Sequence, residues 1–180
     1  MEKKILIVSA SLRGRSNSEL LAEEILAGAR EAGKEAEFLS LKGKDLRFCV
    51  GCLACQKTGK CVLRDGMAEM LDRVREADVL VLVTPIYYYG LPGQLKTFLD
   101  RCNPLYGGEN RFRDVYLVTV AADDAESAPH RAEESLGGWI ECFPQARLAG
   151  SLFCGGVNGP GEILTRPEYP ARARALGASL

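Results

Sequence analysis

The chain has 180 residues, 47% of them hydrophobic and 26% charged, which suits one globular domain with a substantial core. Lys+Arg number 23 against 24 Asp+Glu, a formal net charge of -1, so neither a basic field for nucleic acid nor an acidic solvating tail is present. The apolar stretch in MEKKILIVSAS is too short for a secretory signal core, no run reaches the length of a membrane span, and seven cysteines, an odd number concentrated in one loop, suit a reducing compartment. A cytoplasmic location with no membrane or nucleic-acid partner is therefore expected.

Residues 4–9 are a continuous β-branched and leucine run, the pattern of a strand buried on both faces. Over residues 17–32, Leu21, Ile25, Ala29 and Ala32 recur at helical spacing with Glu23, Glu24, Arg30 and Glu31 on the other side, and Gly33 supplies the stop. Residues 37–41 read as a second strand. A cysteine-rich loop then runs to about Asp65, and the next helix carries Met67, Met70, Leu71 and Val74 on one face.

The run VLVLV places a third strand over residues 78–84, and Leu91, Leu95, Phe98, Leu99 and Cys102 line the helix after it. A fourth strand is expected over 115–122, a helix over 130–143, a fifth strand over 149–155 and a last helix over 170–176. Strands that alternate with helices and show no hairpin signal predict an α/β fold, a five-stranded parallel sheet with right-handed crossover helices on both faces. The domain reading is a single domain over residues 1–180, with the cysteine loop inserted at about 45–65.

Within that loop the run CVGCLACQKTGKC brings Cys49, Cys52, Cys55 and Cys61 together in thirteen residues. Four soft thiolate donors in one short loop suit a four-iron cluster or a zinc ion. Reduced thiols or a local disulfide are the alternatives, and zinc ribbons more often split their ligands into two separated pairs.

In an open parallel sheet, ligands bind at the carboxyl ends of the strands. The first such loop holds Ser11, Arg13, Ser16, Asn17 and Ser18 and opens directly into a helix. A phosphate there would meet unpaired helix amides, hydroxyls, a guanidinium and the helix dipole. A capping box made by Ser16 and Glu19 explains part of the composition, but leaves Ser11, Arg13 and Ser18 without a reason. The loop has neither a G-x-G-x-x-G nor a Walker lysine.

The loop after the third strand, Pro85, Ile86, Tyr87, Tyr88, Tyr89 and Gly90, is stiff and aromatic, as stacking against a flat heteroaromatic ring requires. At least one of the tyrosines is expected to cover the sheet edge or to form an oligomer contact. His130, the lone histidine, is expected on the surface at a helix start, so no hydrolytic triad can be built. Trp139 falls with Ala132, Leu136 and Phe143 on a core-facing stripe. Cys102, Cys142 and Cys154 lie in apolar patterns and read as buried small hydrophobes. Asp123 and Asp124 end the fourth strand, with capping preferred over a ligand contact.

SASLRGRSNSELL, TPIYYYGLPGQLKTFLDR and CVGCLACQKTGKC, in this order, resemble the phosphate loop, the ring loop with its following helix, and the cysteine insertion of the NAD(P)H-dependent FMN reductase-like flavoproteins, especially their iron-sulfur flavoprotein branch. The resemblance covers nearly the whole chain. It implies a flavodoxin-like sheet of order 2-1-3-4-5, an FMN held at its phosphate by Ser11, Arg13, Ser16, Asn17 and Ser18, and ring contacts from Pro85, Ile86, Tyr87, Tyr88, Tyr89 and Gly90, with Ala121 and Ala122 on the other side. It further implies a [4Fe-4S] cluster on Cys49, Cys52, Cys55 and Cys61, a homodimer or homotetramer, and NAD(P)H or a protein as electron donor to a small-molecule or protein acceptor. The chemistry would be carried by the flavin, with no catalytic side chain. Two other functions stand beside electron transfer through a cluster: an NAD(P)H-dependent FMN or quinone-type reductase, and a non-catalytic interaction domain. Asp65-Gly66, where the family usually carries an acidic pair, is given no role.

Overall fold

A computed structural model describes residues 3–180. The β-branched runs form five parallel strands: β1 (Lys4–Ser9), β2 (Glu35–Ser40), β3 (Val79–Pro85), β4 (Asp114–Val120) and β5 (Arg147–Cys154). Their order is β2-β1-β3-β4-β5, the flavodoxin-like arrangement. Every neighbouring pair is parallel. The central strands β1 and β3 are the most apolar because both of their faces are covered.

Six α-helices connect them: α1 (Asn17–Glu31), α2 (Ala54–Thr58), α3 (Met67–Glu76), α4 (Gly93–Arg101), α5 (His130–Ile140) and α6 (Glu168–Ser179). On one face, Leu6, Val8, Leu80, Leu82, Val115 and Leu117 pack against α3, α4 and α5. On the other, Ile5, Ile7, Val79, Val81, Val83 and Val118 pack against α1 and α6. The alternation of Leu6 with Ile5 and Ile7 across the two layers follows from the two-residue period of a strand.

The sequence expectations hold in type and order, with shifted ends. β2 begins two residues earlier than the sequence pattern indicates, because Lys4 and Ile5 pair with Glu35 and Ala36 at the sheet edge. β4 ends at Val120 rather than 122, since Ala121 already turns to bond the loop after β5 through Val157 N–H. The helix from His130 stops at Ile140, and the last helix extends to Glu168–Ser179. The short α2 inside the cysteine loop has no amphipathic signature long enough to announce it. Its Leu53 and Gly59 flanks are both left-handed, which brackets it to five residues.

The α1–α6 contact is built on two glycines. A Cβ at Gly28 would lie 2.0 Å from the Arg174 carbonyl oxygen, and one at Gly177 would lie 2.0 Å from that of Ile25. Arg174 then pairs with Glu24 and Glu31 across the same crossing.

Candidate functional site: a crevice at the sheet's switch point and a cysteine loop beside it

Successive strands are added on opposite sides of β1, so the winding reverses between β1 and β3. A crevice opens there at the carboxyl ends of the strands. Its walls are Ser11, Arg13, Ser16, Asn17 and Ser18 from the first loop, Pro85, Ile86 and Tyr87 from the third, Val120, Ala121 and Ala122 from the fourth, and Val157 and Asn158 after β5, around about 140 Å³. Thus ten residues singled out in the sequence share one cleft. Tyr88, Tyr89 and Gly90 are not among its walls and form the adjoining turn.

Three main-chain bonds fix the floor. Ala10 N–H donates to Val83 O at 2.8 Å, Ile86 N–H to Val120 O at 2.8 Å, and Ala121 N–H to Cys154 O at 3.2 Å. Gln94 Nε2 donates to Ala10 O at 2.8 Å, tying the start of α4 to the first loop.

Within the first loop the polar side chains divide between architecture and open donors. Ser16 Oγ accepts from Glu19 N–H at 3.1 Å and so caps α1. The reciprocal half of a capping box is not formed, because the Glu19 carboxylate faces Lys42 instead. Asn17 is committed on both ends: Nδ2 donates to Gly159 O at 3.0 Å and Oδ1 accepts from Ile163 N–H at 3.1 Å. Arg13 Nη1 donates to Asn158 O at 2.7 Å. The first loop therefore holds the segment after β5 in place as well as facing the crevice. Ser18 is buried at the first turn of α1, where the main-chain N–H groups lack intrahelical acceptors.

Val120, Val157 and Asn158 were missed by sequence reasoning. The run Gly155-Gly156-Val157-Asn158-Gly159 was their available signal. A Cβ at Gly155 would lie 2.7 Å from Asp124 Cα, so a side chain there would push apart the loops after β4 and β5.

Tyr87 and Gly90 exchange N–H···O bonds of 3.2 and 3.0 Å, closing a two-residue turn. Tyr88 and Tyr89 occupy its centre at φ 50° and 63°, a left-handed pair usually given to Asn-Gly. Such backbone costs non-glycine residues free energy and persists where surroundings hold it. Tyr88 is fully exposed, and the Tyr89 hydroxyl is engaged by Asp123 at 3.0 Å. That bond raises the Tyr89 pKa. The Asp123 pKa is lowered, first by Ala125 N–H and then by Tyr89. Asp123 is thus the cap the sequence suggested, with a second role as a tether, and His130 is exposed at the start of α5 as expected.

The four loop cysteines surround a second, smaller cavity, whose other walls are Val50, Leu53, Val62, Leu63 and Asn103. Cys55 is buried, Cys61 half-buried, and Cys49 and Cys52 are exposed. Among the described residues, no group of three or more His, Cys, Asp or Glu side chains is drawn together as a single-ion site. Cys102 and Cys154 are buried away from this cavity, and burial pushes both thiols up to about 12. Cys142 corrects the sequence expectation: it is exposed just past the end of α5, where its Sγ donates to the Gly138 carbonyl at 3.5 Å. Trp139 is half-buried as expected, stacked on Phe112 with its Nε1 donating to Leu99 O.

The residue left without a role in the sequence, Asp65, is the buried anchor of the loop. Its carboxylate takes two bonds from Arg101, Nη1 to Oδ2 at 2.6 Å and Nη2 to Oδ1 at 2.9 Å, and accepts from the main-chain N–H groups of Arg47 and Met67. Both side chains are sealed from solvent, at 1% and 0% exposure. Bonding to Arg101, opposed by burial, takes the Asp65 pKa down to about 2.

Sheet order and switch-point crevice define the class by fold: a flavodoxin-like α/β domain with a polar first loop at its ligand crevice. The chain belongs to the NADPH-dependent FMN reductase family, whose model matches residues 3–151. It is 33% identical over 177 residues to an iron-sulfur flavoprotein of Archaeoglobus fulgidus, covering 98% of this chain and 78% of that protein. It is 41% identical over 102 residues to one of Methanocaldococcus jannaschii, covering 57% of this chain and 53% of the relative, so this match spans about half of that protein's length. Among solved structures, the NAD(P)H:quinone oxidoreductase from Methanothermobacter marburgensis superposes with a TM-score of 0.73 at 18% identity, covering 99% of this chain and 96% of that one. That likeness concerns the fold. No helix among the described residues is long and apolar enough to cross a membrane.

Proposed function

We propose that the chain is an FMN-binding redox protein of the iron-sulfur flavoprotein type, one domain over residues 1–180 with a cysteine-loop insertion at about 45–65, passing electrons between a donor, a [4Fe-4S] cluster and FMN. The observation that carries this reading is the pairing of two sites on one fold: a switch-point crevice walled by the serine- and arginine-bearing first loop, and four cysteines lining one cavity.

The crevice residues fit a mononucleotide flavin. Ser11, Arg13, Ser16, Asn17 and Ser18, with the first amides of α1, would hold one terminal phosphate. Pro85, Ile86 and Tyr87, backed by the turn of Tyr88, Tyr89 and Gly90, would flank the ring from one side, and Ala121 and Ala122 from the other. When bound, FMN supplies the hydride and one-electron chemistry. The chain supplies orientation, a dry apolar wall from Val120 and Val157, and a counter-charge.

The cysteine cavity offers the donor set of a cluster. A four-iron cluster gives each thiolate its own iron and so needs the donors spread around a cavity. Cys49, Cys52, Cys55 and Cys61 would be its ligands, within an apolar wall of Val50, Leu53, Val62 and Leu63.

Anaerobic preparation followed by iron, acid-labile sulfide and flavin analysis tests both halves. About four irons, four sulfides and one FMN per chain are expected, with iron lost and flavin kept in Cys52→Ala. FMN without iron would instead support an NAD(P)H-dependent FMN or quinone-type reductase. That second reading is favoured by one observation: the crevice and the cysteine cavity share no wall residue, so flavin chemistry need not involve the loop. The fully exposed Tyr88 supports assembly as a homodimer or homotetramer, which sedimentation at micromolar concentration would measure.

A further inference from the structure

The neck of the cysteine loop is closed by one side chain that comes from outside it. Arg101, at the end of α4, donates through Nη1 to Arg47 O at 2.7 Å, on the incoming strand of the loop, and grips Asp65 on the outgoing one. Arg47 N–H meets the same Asp65 carboxylate at 3.0 Å, which completes the ring. All four loop cysteines lie between Arg47 and Asp65 in sequence. The closure entropy of that segment is therefore offset by polypeptide contacts rather than by the ligands' own bonds.

Two features extend this clasp toward the sulfurs. Arg101 Nε is buried with no hydrogen-bond partner among the described residues, although buried guanidinium donors are ordinarily satisfied. Two residues further on, Asn103 Nδ2 donates to Cys55 Sγ at 3.1 Å, and Asn103 is also a wall of the cysteine cavity. An amide donor thus faces one of the four thiolate positions, two residues after the guanidinium that closes the neck.

We infer that Arg101 and Asn103 are positioning residues for a cluster on this loop: Arg101 preorganises the ligands by closing the neck, and the Asn103 N–H stabilises the negative charge that reduction adds at Cys55 Sγ. The inference rests on the cluster reading above. Hydrogen bonds to cluster sulfurs raise the reduction potential, because the reduced form carries one more negative charge and accepts them more strongly.

The test uses the anaerobically prepared chain and three variants, Asn103→Leu, Arg101→Gln and Arg101→Lys, each measured for iron, sulfide and FMN per chain and for the cluster midpoint by EPR-monitored redox titration. Asn103→Leu should keep its iron and its FMN while its cluster midpoint moves to a more negative value. Arg101→Gln should lose iron several-fold, and Arg101→Lys should recover part of the iron because it restores charge without the two-pronged geometry. The FMN midpoint should stay put in all three, since none of these residues lines the crevice. If Arg101→Gln fails to fold, Asn103→Leu decides by itself. A cluster that is present with an unchanged midpoint in Asn103→Leu overturns the inference alone. A wild-type chain that takes up no iron overturns the cluster reading, and this inference with it.

Discussion

The Tyr89 hydroxyl donates to the Asp123 carboxylate at 3.0 Å, tying the turn after β3 to the loop after β4, two neighbouring segments that each adjoin the crevice. The bond spans 34 positions in sequence and holds a turn whose two central tyrosines sit in left-handed backbone. Tyr89→Phe is expected to raise the FMN dissociation rate a few-fold with little change in thermal midpoint, because the pair is exposed and the turn keeps its main-chain bonds. Stopped-flow displacement of FMN measures it. An unchanged rate would show that the tether does not govern the ring wall. The tether also has a defined pH window. Asp123 has a lowered pKa, so its contribution is present above the unfolded carboxylate value of about 3.9 and is lost as pH falls through the folded one. Tyr89 has a raised pKa, so its contribution is intact below about 10 and is lost only in strong base.

Breaking the Asp65–Arg101 pair should cost more than any surface substitution. Removing one partner of a sealed pair leaves an uncompensated charge, typically worth about 3–5 kcal/mol, and Asp65→Ala should lower the urea midpoint accordingly. The acid limb follows from linkage. Asp65 is held down at about 2, so its stabilising effect is complete above the unfolded value near 3.9 and disappears as pH falls toward 2. Wild type should therefore lose stability across that interval more steeply than Asp65→Asn, whose side chain does not titrate. Parallel acid limbs would contradict the assignment.

The α1–α6 crossing predicts opposite signs for the same substitution at different glycines. Gly28→Ala and Gly177→Ala each place a methyl 2.0 Å from a main-chain oxygen, which must separate the helices and should cost at least the ~1–3 kcal/mol of ordinary overpacking. Gly138→Ala, in α5 with nothing within 4 Å, should instead stabilise by roughly 0.5–1 kcal/mol, the helix-propensity difference. Chemical denaturation of the three variants compares them directly. Equal destabilisation at all three positions would mean that the helix crossing is looser than these distances imply.

Asn17 and Ser18 should separate architecture from ligand binding. Asn17→Ala removes the amide that holds Gly159 and Ile163, leaving buried groups unpaired at about 1–3 kcal/mol, so both folding stability and FMN affinity should fall. Ser18→Ala should leave stability nearly unchanged and weaken FMN by about tenfold, the equivalent of roughly 1.4 kcal/mol. Calorimetric titration with FMN beside thermal melts distinguishes them. FAD binding as tightly as FMN would count against a single terminal phosphate in this loop.

The sequence by itself determined the five strands, their parallel pairing and the face each helix buries, because strand and helix periods are local: Ile5, Leu6 and Ile7 announce a doubly covered strand within a few residues. The order of loops also followed, so Ser11 to Ser18 and Pro85 to Tyr87 were legible as crevice loops once the strands were placed, while Ala121 and Ala122 came only from the family resemblance. Tertiary structure alone decided the rest, for reasons of distance along the chain. Arg101 and Asp65 are 36 positions apart and their attraction has no periodic signature, which is why Asp65 carried no role in the sequence. Asn17 reads locally as a polar loop residue, and only the fold shows that its amide also holds Gly159 and Ile163, 142 and 146 positions away. Cys142 reads as apolar beside Ile140 and Phe143, yet it faces solvent because α5 has already ended at Ile140. Local pattern sets which elements form and which side they bury; the pairing of single polar groups depends on where the crossovers bring distant residues to rest.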